Sequence, residues 1–178
     1  MTAQLPDAFK TAVRQWAWIL ACLPAWALAG PASAQTLALS GEALQVAHDL
    51  PADARVLRQR RIPLMVLYSR ADCPWCERTR RQYLVPLANE PASADRVLMR
   101  QIDLDSDAAL VDFNGKATTH RLFGKSQRAE LTPTLMFYGP DGRQVAEPIV
   151  GFLLADFYAA HIDRGIDQGL AALRQGTP

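Results

Sequence analysis

The residues best suited to chemistry are two cysteines, Cys73 and Cys76, in a Cys-Pro-Trp-Cys motif. This spacing is compatible with a redox dithiol, with half of a metal site, or with a structural disulfide. A structural zinc site usually has four ligands, and the three histidines of the chain are not paired at ligand spacing. A disulfide that closes so short a loop would contribute only about 2 kcal/mol through chain entropy. The motif therefore favours a redox pair, and we expect no metal site.

The residues around this pair predict a junction between a strand and a helix. Residues 62–68 form a nearly uninterrupted apolar run, which suits a strand buried on both faces. Pro74 falls where the first residue of a helix would lie, and we expect Pro86 to bend or end that helix. At the start of the helix, free N–H groups and the helix dipole would stabilise a Cys73 thiolate relative to the thiol. Cys76, one turn further in, would be more buried and would act as the resolving thiol.

The rest of the chain predicts one domain in which helices and strands alternate. The predicted elements are two short helices within residues 36–61 broken at Pro51, a strand at 97–104, a helix at 118–128, strands at 134–138 and 144–150 joined by a turn at 139–142, and an amphipathic helix at 154–173. This order predicts an α/β fold with a central mixed β-sheet flanked by helices. Parallel strands would be joined by crossover helices, an antiparallel hairpin would lie at one side, and the C-terminal amphipathic helix would cover one sheet face.

The first 34 residues are typical of a signal peptide. Lys10 and Arg14 precede an apolar stretch at residues 16–29, and small residues follow up to Ala34. The apolar stretch is short for a membrane span of about 20 residues and contains a proline. We expect export to the periplasm, cleavage after Ala34 and a mature domain of residues 35–178. Membrane anchoring through the N-terminal segment is the alternative.

The composition limits the class of protein and the kinds of partner that we expect. The chain is 49% hydrophobic and 21% charged, which is typical of a globular domain. Its formal net charge is +1 and it has no basic block, so we expect no nucleic-acid partner. Cleavage would remove Cys22 and leave Cys73 and Cys76 as each other's partners, in a compartment where disulfides persist. A lipid on Cys22 is a weaker alternative, because the apolar core before it would be very short.

Three segments resemble the thioredoxin superfamily: the strand at 62–68, the motif at 73–76, and residues 131–137, Leu-Thr-Pro-Thr-Leu-Met-Phe. In that family a proline before the third strand forms a cis peptide bond beside the cysteine pair, and Pro133 matches this position. The resemblance also implies that the backbone of Thr132 binds an extended substrate segment through strand-like hydrogen bonds.

Two further positions qualify the resemblance. Trp75 would either contact substrate or cover the cysteines. Thioredoxins carry a buried acidic residue six positions before the first cysteine, where it acts on the proton of the second, and here that position is Leu67. Asp72, Glu77 or water could take the proton instead. Asp72, next to the first cysteine, would oppose thiolate formation.

Within the superfamily, residues 112–116 together with 132–134 look most like periplasmic thioredoxins of the SoxW type, which serve sulfur-oxidation or related envelope systems. We therefore expect a monomeric thiol–disulfide oxidoreductase without a cofactor, in which Cys73 and Cys76 are catalytic. It would act as a reductase on disulfide-bearing envelope proteins, and a membrane thiol electron donor would reduce it again after each reaction. The alternative is a non-catalytic metallochaperone that binds copper(I) through the same two soft ligands.

Overall fold

The structure is a computed structural model that describes residues 44–152 and 155–176. The predicted signal peptide with its cleavage site, Cys22, residues 36–43 and Leu154 lie outside the described residues. The helices and strands are α1 Leu50–Arg60, β1 Leu64–Ser69, α2 Pro74–Thr79, α3 Val85–Asn89, β2 Leu98–Asp103, β3 Ala109–Val111, β4 Ala117–Thr119, α4 His120–Ser126, β5 Thr134–Tyr138, β6 Ile149–Val150 and α5 Ala155–Gln175. A π-helical turn, Arg80–Leu84, joins α2 to α3, and a short 3-10 helix, Pro91–Asp95, follows α3.

Four strands form the main sheet, in the order β2-β1-β5-β6. Strand β1 runs parallel to β2 and antiparallel to β5, and β6 is antiparallel to β5. The predicted mixed sheet, with its antiparallel part on one side, is confirmed. A second, two-stranded sheet of β3 and β4 was not predicted, because its short strands lie in a polar stretch without clear alternation.

The two faces of the main sheet bury different side chains, because successive residues of a strand point to opposite sides. Leu64, Val66 and Tyr68 belong to a core cluster with residues of α1 and α4, on what we call the first face. Met65 and Leu67 belong to a cluster with Leu84, in the helical segment that carries the cysteines, and with residues of α5, on what we call the second face. Helices therefore flank the sheet on both sides, as expected.

Of the two helices predicted around Pro51, the second is confirmed as α1, whereas residues 44–49, assigned to the first, are not helical. Pro51 stands at the beginning of α1, where Asp49 caps the helix by accepting a hydrogen bond from the N–H of Ala52 at 2.8 Å. The residues before the cap are extended: the N–H of Ala47 donates to the carbonyl of Gln101 at 2.9 Å. This segment covers the edge of β2, a contact with a distant part of the chain that local periodicity does not reveal.

Proline 86 does not end the helix, which continues to Asn89. The π turn Arg80–Leu84 precedes Pro86, which lies in the first turn of α3. Pro86 has no N–H to donate to the preceding turn, and the π turn is the irregularity in hydrogen-bond register that accompanies it.

The last two predicted elements differ in extent. The turn at 139–142 is confirmed, with the N–H of Gly142 donating to the carbonyl of Gly139 at 3.0 Å. Strand β6 is only Ile149–Val150, shorter than the predicted 144–150, and Gln144 makes an isolated bridge to Tyr138. Pro148, which lacks an N–H, directly precedes the paired residues. In the described residues no helix has both the length and the apolar character of a membrane span.

Candidate active site

Cys73 and Cys76 form a disulfide at the predicted junction. Cys73 is the N-cap of α2, and the N–H of Cys76 donates to its sulfur at 3.1 Å. Cys73 is half-buried, whereas Cys76 is 1% exposed. When the pair is reduced, the N–H at the helix start and the helix dipole favour a thiolate at Cys73, the more accessible sulfur.

The loop between β1 and Cys73 is held by an acidic residue that the sequence did not mark as functional. The N–H of Ala71 donates to Oδ2 of Asp105 at 2.9 Å, and the N–H of Leu104 donates to the carbonyl of Ser69 at 2.8 Å. Asp105 follows β2 by two residues, and the carboxyl ends of neighbouring parallel strands meet at one sheet edge. That topology was the signal that could have found it.

Pro133 lies at the same end of the sheet. Its peptide bond with Thr132 is cis, as the resemblance implied. Thr134, the next residue, pairs with Tyr68, so Pro133 adjoins the end of β1 from which the loop to the cysteines departs. The carbonyl of Pro133 accepts a hydrogen bond from the N–H of Gly151 at 2.8 Å, and among the described residues no backbone hydrogen bond uses Thr132.

An aromatic stack stands beside the disulfide. The Trp75 ring lies 5.3 Å from the ring of Phe152 with 21° between the planes, and Trp75 is 53% exposed. The ring of Phe152 in turn contacts Tyr158 at 4.9 Å. The guanidinium carbon of Arg78 lies 4.9 Å from the Phe152 ring centre and 6.0 Å from that of Trp75. Phe152 and Arg78 were not predicted, because a loop residue and a surface charge show no periodic signal.

Exposed apolar side chains lie on three segments at this end of the sheet. Leu131 is 64% exposed just before the Thr132-Pro133 bond, and Val150 is 45% exposed just before Gly151. We call Leu131, Val150 and Trp75 the apolar rim, a candidate surface for contacts with another chain.

Leu67 stands where thioredoxins carry a buried acidic residue, and its surroundings in the structure are apolar. Leu67 is fully buried on the second face. Nearby polar groups on that face are the hydroxyls of Thr79 and Tyr158, 3.5 Å apart, and burial raises the pKa of Tyr158. In residues 44–152 and 155–176 the buried carboxylate is Asp53, which lies on the first face. The disulfide therefore has no buried carboxylate beside it in this part of the chain.

The two carboxylates suggested as proton acceptors differ in their surroundings. Asp72 is exposed. Glu77 is half-buried and forms ion pairs with Arg80 and with Arg81, the latter at 3.7 Å. Arg80 extends this network by donating to the side-chain oxygen of Gln101 at 3.4 Å.

The histidines have structural contacts. Nδ1 of His120 accepts a hydrogen bond from the N–H of Asp103 at 3.1 Å, and its Nε2 lies 2.8 Å from the carbonyl of Ala47. His161 contacts the carbonyl of Phe157 at 2.8 Å. Within the described residues no group of three or more His, Cys, Asp or Glu side chains is arranged to hold a metal ion.

The chain is similar to proteins of known family. A family model described as a thioredoxin-like domain matches residues 50–166, more than half of the chain. Mitochondrial thioredoxin 3 from Saccharomyces cerevisiae, in its oxidized form, is 18% identical with a TM-score of 0.47; the match covers 70% of this chain and 93% of that one. Thioredoxin from Fasciola hepatica is 14% identical with a TM-score of 0.49, covering 71% and 99% of the two chains. Comparison with curated protein sequences finds no match.

The family match covers α1, the sheet, the cysteine pair and part of α5. A disulfide pair with Cys-x-x-Cys spacing in this fold supports thiol oxidoreductase chemistry. The chain belongs to the family of thioredoxin-like domains.

Proposed function

We propose that this chain is an exported thiol–disulfide oxidoreductase that reduces disulfides of cell-envelope proteins through its Cys-Pro-Trp-Cys dithiol. The observation that carries the proposal is the asymmetry of the pair: Cys73 is half-buried at the helix start, and Cys76 is buried one turn further in. An accessible, dipole-stabilised thiolate suits attack on a client, and a buried second thiol suits resolution.

The reaction has two exchange steps. The Cys73 thiolate attacks one sulfur of the client disulfide, a bond forms between these two sulfurs, and the second client sulfur leaves as a thiolate that takes up a proton. Cys76 then loses its proton and attacks the sulfur of Cys73, which closes the Cys73–Cys76 disulfide and releases the first client sulfur as a thiolate. Two electrons pass from the protein to the client, and a membrane thiol donor returns two electrons to the protein.

Water is the proposed acceptor for the Cys76 proton. Leu67 cannot take a proton, and the buried hydroxyls of Thr79 and Tyr158 are poor bases. The Glu77 carboxylate is already engaged in ion pairs with Arg80 and Arg81.

Client binding would use the surface around the disulfide. The backbone of Thr132 takes part in no backbone hydrogen bond among the described residues, which supports strand-like pairing with an extended client segment. The apolar rim of Trp75, Leu131 and Val150 would then contact side chains of that segment. The resemblance to SoxW-type thioredoxins supports clients in the cell envelope.

The first test assigns the two cysteine roles. A Cys76→Ser variant should accumulate mixed disulfides with client proteins, because the intermediate can no longer be resolved. These adducts should be detected on non-reducing gels and should disappear when Cys73→Ser is added. Equal trapping by the single variant Cys73→Ser would show that the assigned roles are wrong.

Export and the direction of electron flow need separate measurements. Mass spectrometry of the envelope fraction should find a mature N-terminus at Gln35, whereas full-length chain in the cytosol would refute export.

Equilibration with dithiothreitol or glutathione buffers should give a reduction potential nearer to about −270 mV than to about −120 mV if the protein is a reductase. Retention of copper(I) against competing chelators, without insulin reduction, would favour the metallochaperone.

A further inference from the structure

The guanidinium of Arg78 is held against the aromatic stack beside the disulfide. Its central carbon lies 4.9 Å from the ring centre of Phe152 and 6.0 Å from that of Trp75. Its Nε donates to the side-chain oxygen of Gln82, one helical turn later, at 2.9 Å. Two kinds of contact thus fix the orientation of a charged group on the protein surface.

This arrangement leaves the hydrogen-bonding capacity of Arg78 largely unused. A guanidinium that stacks on a ring engages the face of its plane, while its N–H donors lie in the plane. Among the described residues its hydrogen bond is the one from Nε, which leaves two Nη groups for a further partner. A planar fork of donors matches a carboxylate, and prior orientation reduces the entropy lost on binding.

The surrounding charges point to an acidic partner from outside. Glu77, the carboxylate next to Arg78 in the sequence, is paired with Arg80 and Arg81. This half of the helix therefore has an excess of positive charge next to the apolar surface of Trp75. Arginine and tryptophan are also among the residue types that contribute most to binding energy in protein interfaces.

We propose that Arg78, Phe152 and Trp75 form a subsite that binds the carboxylate of an Asp or Glu side chain in the client segment near its disulfide. This inference rests on the proposed disulfide reduction and specifies its substrates. The client chain would pair with the backbone at Thr132 while its acidic side chain reaches the stacked guanidinium.

Disulfide-bonded peptides that differ at one position test the subsite. Three otherwise identical sets would carry Glu, Gln or Lys at positions one and two residues from the cysteine, on either side. The second-order rate constant for reduction by the reduced protein would be measured at low and at physiological ionic strength. At the favoured position Glu should react about fivefold faster than Gln, as expected for one partly exposed charge-assisted pair, and Lys should react more slowly than Gln. The preference should weaken with added salt.

Variants decide whether the preference belongs to this subsite. In Arg78→Gln the ratio of Glu to Gln rates should fall to about one, and Arg78→Lys should give an intermediate ratio, because lysine keeps the charge without the fork. Phe152→Leu should also lower the ratio by releasing the guanidinium. Arg81→Gln, an exposed arginine on the same helical segment, is the matched control and should keep the wild-type ratio.

The outcomes separate this inference from the proposed function. A wild-type ratio near one at all positions, or equal losses in Arg78→Gln and Arg81→Gln, would overturn the subsite while disulfide reduction stands. A wild-type ratio that Arg78→Lys retains in full would overturn the stacked fork as its cause. Failure of the wild-type protein to reduce any of the peptides would instead overturn the proposed function.

Discussion

The two faces of the main sheet bury polar groups in different ways. On the first face, Asp53 and Arg100 form a paired contact of 2.6 and 3.1 Å, and the hydroxyls of Tyr68 and Tyr138 lie 2.7 Å apart. On the second face, which packs against the helix that carries Cys76, Leu67 occupies the position of the family's acid. The sheet therefore separates the buried groups with strong electrostatic interactions from the redox pair. Disturbing the first face should change stability and spare the chemistry.

The largest effect should follow from Arg100→Met. The Asp53 side chain is 8% exposed and would lose both of its hydrogen bonds to the guanidinium. Breaking a buried ion pair from one side costs about 3–5 kcal/mol, because the remaining charge has no partner. Urea unfolding of the oxidised protein at pH 7 should show this loss, while the rate of disulfide reduction per folded molecule should stay at the wild-type value.

The same variant has a pH signature. Burial raises the pKa of Asp53 above its ordinary value of 3.8 and outweighs the opposing effect of Arg100. The folded state thus binds the Asp53 proton more tightly than the unfolded state, and this group favours folding more as the pH falls from 7 toward 3.8. Without Arg100 the pKa should rise further, so the stability lost in Arg100→Met should shrink at low pH. Arg143→Met, at an exposed arginine, is the control, and a loss independent of pH would contradict the interpretation.

A smaller effect is expected in alkali from the tyrosine pair. Burial raises the pKa of Tyr138 to about 12 and that of Tyr68 well above its ordinary value of 10.0. Above pH 10 the unfolded chain loses these protons while the folded chain keeps them, so stability falls as the pH rises from 10 toward 12. Each tyrosine should contribute about 1.4 kcal/mol per pH unit in this range. Urea unfolding between pH 9 and 11 should show a shallower decline in Tyr138→Phe, and an unchanged slope would refute the assignment.

The sequence predicted features that depend on neighbouring residues. The apolar run at 62–68 and the following Cys-Pro-Trp-Cys motif fix a buried strand and a helix start by themselves, and the structure contains both. Residues 44–49 were assigned to a helix, because their extended form depends on the pairing of Val46 with Gln101 of β2, which is distant in the sequence. Buried partners on the first face were missed for the same reason, since α1 meets Arg100 only after the sheet has formed.

For the candidate site, too, the sequence predicted the residues that lie in short motifs and missed those that are placed by strand order. Cys73, Cys76 and Pro133 lie in recognisable local motifs, and the structure contains the disulfide and the cis bond. Asp105 follows β2 and Phe152 follows β6, and they contact Ala71 and Trp75 near the cysteines because the strand order is β2-β1-β5-β6. Their contribution is a matter of strand order, which no short motif encodes.

Replacement of Asp105, near the redox pair, should have the smallest effect on stability but a clear effect on the rate of disulfide reduction. Its carboxylate is exposed and accepts from the N–H of Ala71, two residues before Cys73. Asp105→Ala should cost about 1 kcal/mol or less, as expected for one solvent-accessible hydrogen bond. Because the loop that positions Cys73 would be less constrained, attack on a peptide disulfide should slow about threefold to tenfold.

Two further variants separate this hydrogen bond from a simple effect of charge. Asp105→Asn keeps an oxygen that can accept from Ala71 and removes a negative charge near the thiolate, so its rate should equal or exceed that of wild type. Asp107→Ala removes a nearby carboxylate that pairs with Arg121 and should leave the rate unchanged. Stopped-flow measurements from pH 5 to 9 should show the loss in Asp105→Ala at every pH, because it arises from geometry. If Asp105→Ala and Asp107→Ala react equally fast, the contact with Ala71 does not position Cys73, and the redox side of the molecule does not depend on this hydrogen bond.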